Sequence, residues 1–434
     1  MMTEKFTLYI HSRRGSLTLS IENNTENAFR IYLELMHIFL TVDDNNKKII
    51  VTTIQKMNVM IKNKYNNFVN SYGLKMPQLN KLKAALDRIP EKDYFFVSNK
   101  SEYTTDQILC IDNIIDSHNS SLVEEEVVAK FSELTRQMGE FFGEVFKIYE
   151  FKVFDSRQNI KIGESDRSKR ICRFCGNGIN TEVKAKFALK AHAFSEALGN
   201  KSIILNEECD SCNGKFGSQI EDDFIKYLDV YRAFYKVRGK NGIPTLKFKN
   251  GVIKEVDGCT TVASSDINFN EKNGNIAVTL KSLSKLANVN IYKTLCKYVI
   301  SVIDGNKLTS LKKTIKWINS DKETQELLPK VALLISNEMY VDVPVLGLYI
   351  RKYNSTEYPH IVAEFKFKVL IFVFIIPFSD EDQDSFVSDE SYKKFWTLFK
   401  HYSSTEAWVF NSFSSYKKEE FQFVVNIINK KSEQ

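Results

Sequence analysis

The chain of 434 residues lacks most of the signals that would place it in a familiar class. Its seven cysteines show no disulfide framework, which fits a reducing cytoplasm. Met1 to Thr7 shows no charged-then-apolar secretion signal. The longest apolar run, Val369 to Phe378, has 10 residues and contains Pro377, so it predicts a buried strand and is too short to cross a bilayer. A Walker loop, a GxGxxG after a strand and internal repeats are also missing. We therefore expect a cytoplasmic protein with no membrane partner.

Four of the cysteines form two pairs with metal-ligand spacing. Cys172 and Cys175 make one C-x2-C pair, Cys209 and Cys212 make the other, and 33 residues lie between them. Two such pairs can complete a tetrahedral shell of four sulfurs, which suits zinc because zinc is redox-inert and accepts soft ligands. The other three cysteines, Cys110, Cys259 and Cys296, stand alone in apolar surroundings and are predicted to lie in the core.

The segment between and after the pairs predicts a strand, a return strand and a helix. Apolar residues alternate from Phe187 to His192, which fits a short strand with His192 on its less apolar face. Gly199-Asn200 gives a turn signal. Between Asn213 and Leu228, apolar residues recur at helical spacing, so we expect one amphipathic helix with Asn213 at its start. His192 is the only histidine between the pairs, and its ordinary pKa suits a base near neutral pH.

These motifs together resemble the HNH endonucleases of the ββα-metal superfamily, in the subgroup whose finger is stapled by two CxxC pairs. The matching residues run from about 168 to 228 and include A-H-A-F-S-E-A-L-G-N and E-C-D-S-C-N-G-K-F-G-S-Q-I-E. The resemblance implies a metal-dependent phosphodiesterase in which His192 deprotonates water. It also implies a divalent cation beside the histidine, and an asparagine, Asn200 or Asn206, that holds the hairpin.

The predicted catalytic metal site departs from the family pattern at one position. Many members carry Asp, Glu or His immediately before the base, whereas this chain has Ala191. Asn213 matches the last motif position and can offer a carbonyl oxygen to Mg²⁺ or Mn²⁺. Glu221 follows at i+8, on much the same face of the predicted helix, and is the weaker candidate ligand. Glu182 and Glu196 are further carboxylates nearby.

Positive charge is concentrated in this same segment. The formal net charge of the chain is only +6, yet residues 156–201 contain ten Lys and Arg against four Asp and Glu. Many basic runs are simply solvated, but on a nuclease-like finger the charge is expected to meet phosphates. Lys184, Lys186 and Lys190 are the predicted nucleic-acid contacts, with DNA as the favoured substrate.

The patterns along the chain predict an α+β, multidomain protein. Residues 1–160 are expected to form a mainly helical α+β domain for sensing or partner docking, 161–228 the zinc-stapled finger, and 229–434 a C-terminal α+β domain. The helices expected outside the finger are 26–41, 53–72, 78–88, 121–146, 289–303, 391–400 and a terminal helix over 418–430. The expected strands outside the finger are 6–10, 17–21, 148–154, 245–255, 274–280, 338–351, 360–377 and 406–411.

Three functions remain open on the sequence. The favoured one is a metal-dependent nuclease, and the resemblance suggests an anti-phage defence effector with a partner protein. The second is a zinc-stapled nucleic-acid-binding module without catalysis, which Ala191 encourages. The third is an interaction or signalling protein that uses zinc only for folding.

Overall fold

In a computed structural model the chain divides into two compact units, Met1–Glu144 and Val145–Gln434. The structure describes residues 5–22, 28–43, 48–51, 54–98, 103, 108, 111–112, 115, 143–240, 242–256, 259–270, 275–324, 326–336, 339–399, 402 and 407–427. The predicted helix over 121–146 lies almost entirely outside these residues. Among them, no helix is long and apolar enough to cross a membrane.

The first unit is a small antiparallel sheet covered by helices. Its sheet has the order β2-β1-β6-β5, and β3 pairs separately with β4. Apolar residues of β1 and β2 share one core with helices α2 and α3, including the fully buried Tyr65. The elements of this unit are β1 (Lys5–Ser12), β2 (Gly15–Glu22), α1 (Ala28–Met36), β3 (Leu40–Asp43), β4 (Lys48–Val51), β5 (Ile54–Lys56), α2 (Val59–Tyr72), α3 (Leu79–Asp87) and β6 (Tyr94–Ser98).

The second unit contains two six-stranded sheets. It also contains residues 161–228, which carry the two cysteine pairs and are called the cysteine-rich segment below. One sheet has the order β19-β15-β18-β17-β16-β7, and the other has the order β12-β11-β10-β14-β13 with β20 also paired to β14. The elements are β7 (Tyr149–Asp155), β8 (Ile160–Ile162), β9 (Ile203–Leu205), α4 (Asp210–Ser218), α5 (Ile220–Phe234), β10 (Leu246–Phe248), β11 (Gly251–Val256), β12 (Cys259–Ser264), β13 (Ile267–Asn270), β14 (Asn275–Ala287), α6 (Asn288–Val302), α7 (Lys312–Asn319), β15 (Val331–Ile335), β16 (Val341–Arg351), β17 (Ile361–Lys368), β18 (Leu370–Ile375), α8 (Asp389–Leu398), β19 (Val409–Asn411) and β20 (Lys418–Ile427).

Helix α6 lies at the centre of the second unit. From Val289 to Val302 every residue except Asn290 is buried, as in a helix surrounded by protein on all sides. Its Tyr298 contacts Phe194 of the cysteine-rich segment at 5.4 Å and Phe365 of β17 at 5.3 Å, measured between ring centroids. The cysteine-rich segment therefore shares one hydrophobic core with α6 and the sheet.

The α+β class is confirmed, and several local predictions differ from the structure. The segment 418–430, predicted as a helix, is strand β20 up to Ile427, because it completes the sheet beside β14. The segment 360–377, predicted as one strand, is the hairpin β17–β18, which turns at Lys368 with a φ of 56°. No Gly or Asn marks that turn, so the sequence carried no signal for it. Cys296 is buried as predicted, Cys259 is exposed on β12 and not in the core, and Cys110 lies outside the described residues.

The predicted three-domain division also has different boundaries from the two units of the structure. The unit boundary falls after Glu144, whereas the sequence placed boundaries near residues 160 and 228. Strand β7, predicted to belong to the N-terminal domain, pairs with β16 over seven residues of the second unit.

Candidate functional site

The four paired cysteines meet at one point. Their Sγ atoms all lie within 4.8 Å of one another, and the sulfurs of Cys175 and Cys209 are 3.8 Å apart. A tetrahedral zinc with Zn–S bonds of about 2.3 Å has sulfur–sulfur edges of about 3.8 Å, whereas a disulfide would need about 2.0 Å. The donor set and its geometry therefore fit a zinc ion, and the cluster confirms that these residues could hold one.

Backbone groups shape both cysteine pairs for metal binding. The amide of Cys209 points at the Cys172 sulfur and the amide of Cys212 at the Cys209 sulfur, each at 3.5 Å. Gly176 closes the first pair with a φ of 74°, a conformation that glycine adopts easily, and its amide bonds to the Cys172 carbonyl at 2.9 Å. A hydrogen bond from the Cys212 thiol lowers the pKa of Cys172 to about 5, and the same contact raises the pKa of Cys212 above its ordinary value. A thiolate is the form that binds zinc.

The predicted strand leading to His192 is shorter than its alternation suggested. Only the stretch around His192 pairs: Ala193 N bonds to Ile203 O at 3.0 Å, and Leu205 N to Ala191 O at 3.0 Å. Upstream, the amides of Ala188 and Leu189 instead donate to the Asp210 carboxylate at 3.1 and 2.8 Å. Those amides are thus used by a side chain, and Leu189, expected on the apolar face, is 60% exposed.

His192 sits on this short antiparallel pairing with its side chain 17% exposed. Its backbone pairs with Ile204, and its Nδ1 lies 3.9 Å from Glu196 Oε2. Burial lowers the pKa of His192, and the positive charges of Lys190 and Lys297 lower it further, while Glu196 and Glu221 act in the opposite direction. The imidazole is therefore neutral at neutral pH, the form that can accept a proton.

Asn200 holds the connection between the two paired stretches. It is fully buried, and its Nδ2 donates to the carbonyls of Phe194 and Ile203 at 2.9 and 3.1 Å. Its Oδ1 accepts from the amides of Ser202 and Ile203 at 3.2 and 3.0 Å. Of the two asparagines that the resemblance offered for this role, Asn200 has these contacts, whereas Asn206 is half-buried.

The helix after the second cysteine pair begins earlier than predicted and is broken. Cys209 caps α4, which starts at Asp210, so the half-buried Asn213 lies in its first turn rather than at its start. Gln219, with φ −116° and ψ −82°, separates α4 from α5. Glu221 therefore lies in the first turn of a second helix, and its predicted i+8 relation to Asn213 on one helix is wrong.

Glu221 is engaged in a buried ionic network that the sequence did not reveal. Its Oε1 lies 3.0 Å from Lys297 Nζ of α6, and its Oε2 accepts a hydrogen bond from Ser195. Lys297 Nζ also lies 3.1 Å from Glu208 and 3.3 Å from the carbonyl oxygen of His192. The sequence sign of this network is a pair of lysines inside a largely apolar helix. The other nearby carboxylates are Glu196, half-buried beside His192, and Glu182, which is exposed.

The basic segment places only part of its charge on the surface. Four arginines contact other groups of the protein: Arg157 pairs with Asp155, the exposed Arg167 and the half-buried Arg170 donate to backbone carbonyls, and the Arg173 side chain is buried against Glu207. The three predicted phosphate contacts, Lys184, Lys186 and Lys190, are all exposed.

Comparison with known proteins adds no relative. No family model, no curated protein and no solved structure matches the chain.

Proposed function

We propose that the chain is a metal-dependent endonuclease of the HNH type that hydrolyses phosphodiester bonds, with DNA as its substrate. The observation that carries the proposal is the position of His192. A neutral, partly exposed imidazole lies on a short antiparallel pairing, in a segment stapled by a zinc-ready cysteine cluster and pinned by Asn200. The motif resemblance supports the same assignment.

In this proposal His192 is the general base. It would take a proton from the attacking water, which requires the neutral imidazole that burial favours. Lys184, Lys186 and Lys190 would attract the nucleic acid by charge and contribute affinity without sequence choice. The structural zinc would hold the two cysteine pairs together and take no part in the reaction.

Mg²⁺ or Mn²⁺ is the proposed catalytic ion, and it would supply positive charge at the leaving oxygen. Asn213 is the better candidate ligand of the two named from the sequence. Glu221 already forms an ion pair with Lys297, so ligation by Glu221 would require breaking a buried contact. Because Mg²⁺ keeps several waters, one protein ligand can suffice.

The alternative function is a zinc-stapled nucleic-acid-binding module without catalysis. Two observations favour it: the position before the histidine is the buried Ala191, which cannot bind a metal, and Glu221 is occupied by Lys297. Such a module would use the same three exposed lysines.

A cleavage assay separates these functions. Supercoiled plasmid, linear duplex, single-stranded DNA and RNA are each incubated with the protein in Mg²⁺, in Mn²⁺ or in EDTA. Metal-dependent nicking that His192→Ala abolishes supports the nuclease. Salt-dependent binding without cleavage of any substrate identifies the binding module instead. If the protein neither binds nor cleaves any of these nucleic acids, the zinc serves only the folding of the protein.

We further propose that the protein works in the cytoplasm as an anti-phage defence effector with a partner protein, on the strength of the motif resemblance. Expression in a bacterial host should then reduce phage plaque numbers, and the His192→Ala variant should not. Equal plaque numbers with the parent protein, the variant and an empty vector would contradict the defence role.

A further inference from the structure

A charged lysine is buried at the centre of the second unit, directly beneath the backbone of His192. Lys297 lies on α6, and its side chain is 1% exposed. An unpaired ammonium at such a position would be strongly destabilising, so its partners must satisfy it inside the protein. Burial would lower the pKa of Lys297, but the carboxylates of Glu208 and Glu221 outweigh burial and raise it above the ordinary value. The ammonium therefore stays charged.

The contacts of Lys297 join three separate parts of the site. Its first partner is Glu208, which immediately precedes Cys209 of the four-cysteine cluster. The second is Glu221 of α5, and the third is the carbonyl oxygen of His192. Burial raises the pKa of Glu208 to about 7, and the Lys297 ammonium at 3.1 Å is the contact that opposes this shift.

The chain just after His192 rests on the same network. The Ser195 hydroxyl donates to Glu221 and lies 2.7 Å from the hydroxyl of Tyr298, the neighbour of Lys297 on α6. The Ser195 amide also points at that Tyr298 hydroxyl at 3.3 Å. Lys297 therefore holds His192 and Tyr298 holds Ser195, and both of these side chains come from α6, outside the cysteine-rich segment.

We propose that Lys297 is a positioning residue for His192: its buried ammonium, fixed between Glu208 and Glu221, holds the His192 carbonyl and so sets the place of the imidazole. Lys297 cannot touch a substrate, because it is enclosed. Where it concerns the reaction rate, this inference rests on the proposed nuclease function. Misplacing a base by about 1 Å can cost about 100-fold in rate.

Lys293 provides a matched control on the same helix. It lies one turn earlier and is 2% exposed, but its Nζ donates to the Ser320 carbonyl and lies over the rings of Trp317 and Tyr416 at 5.5 and 5.1 Å. The variants Lys297→Met and Lys293→Met thus make the same change of charge and size in one buried helix. Only the first removes a contact with His192.

The test measures cleavage kinetics and the His192 imidazole in both variants. Lys297→Met should lower kcat about 10- to 100-fold with KM little changed, since the exposed lysines remain. It should also shift the His192 ring resonance and its titration in NMR spectra, assigned by the signal that His192→Ala removes. Lys293→Met should change neither. Equal behaviour of the two variants would overturn the inference.

Two outcomes of this experiment call for a different comparison. If Lys297→Met does not fold, the double variant Lys297→Met/Glu208→Gln removes one charge of each sign and takes its place in the same comparison. If the parent protein cleaves no substrate, the proposed function fails and the NMR comparison decides alone. A His192 resonance displaced only in the Lys297 variant supports the positioning role, and an undisplaced one refutes it.

Discussion

The side chain of Asn200 bonds to both backbone groups of Ile203. Oδ1 accepts from the Ile203 amide at 3.0 Å, and Nδ2 donates to the Ile203 carbonyl at 3.1 Å. Because Nδ2 also reaches the Phe194 carbonyl at 2.9 Å, one buried amide joins the two sides of the connection that follows His192. The placement of His192 thus depends on a residue that does no chemistry.

Replacing Asn200 should therefore be costly. Asn200→Ala removes four hydrogen bonds to the backbone around this connection, and we expect the free energy of unfolding to fall by about 2–4 kcal/mol. Denaturant unfolding measures this change. Asn180→Ala is the control, since exposed Asn180 makes one long hydrogen bond, to Ser168 O at 3.3 Å. Equal effects of the two substitutions would show that Asn200 does not hold the connection.

The zinc content of the protein should depend on the four-cysteine cluster. The purified protein is expected to contain one zinc per chain, and Cys172→Ser or Cys209→Ser should lose it and unfold the surrounding segment, because metal binding is coupled to folding there. Elemental analysis and limited proteolysis measure both effects. Cys259→Ser, at an exposed position on β12, should keep its zinc. Well-folded parent protein without zinc would contradict the assignment.

The three exposed lysines should control affinity and its salt dependence together. In Lys184→Glu/Lys186→Glu/Lys190→Glu, binding should weaken at every sequence tested. The slope of log affinity against log salt should fall in magnitude by about three, because three phosphate contacts are lost.

A variant with the same change in net charge provides the control for the lysine prediction. Lys316→Glu/Lys393→Glu/Lys394→Glu alters three exposed lysines on α7 and α8. If both triple variants weaken binding equally, the effect comes from overall charge and the 184–190 surface is an ordinary solvated one.

His192→Ala should abolish detectable cleavage, because the loss of a positioned base typically costs about 10²–10⁴ in rate. Zinc content, folding and nucleic-acid binding should remain. Since burial lowers the pKa of His192, the neutral base predominates at a lower pH than it would in a free imidazole. The rate of the parent protein should accordingly rise with pH in the acidic range and level off before neutrality. A variant that cuts as fast as the parent would refute the nuclease assignment.

Asn213→Ala tests the proposed ligand of the catalytic ion. The variant should need a higher Mg²⁺ or Mn²⁺ concentration for half-maximal cleavage while its rate at saturating metal changes less, because the removed carbonyl oxygen serves ion binding. A titration of activity against metal concentration measures the shift. An unchanged midpoint would remove Asn213 from the metal site.

The sequence alone was sufficient for features that depend on local spacing. The two C-x2-C pairs predicted a four-sulfur cluster, and the structure brings those sulfurs within 4.8 Å. Apolar periodicity predicted most of the helices and the α+β class. These predictions succeed because the spacing within each cysteine pair and the apolar face of each helix are set within a few residues along the chain.

Tertiary structure decided the features that depend on distant partners. The stretch 418–427 is a strand because β14 offers it an edge, although its local pattern resembled a helix. The amides before His192 leave the predicted strand because Asp210, about 20 residues later, accepts them. Glu221 was predicted from the sequence as a metal ligand but forms an ion pair with Lys297. Lys297 is 76 positions away, on a helix outside the motif that the sequence analysis used. A buried charge takes whichever opposite charge the fold brings within about 3 Å, and that choice is made by packing and not by spacing along the chain.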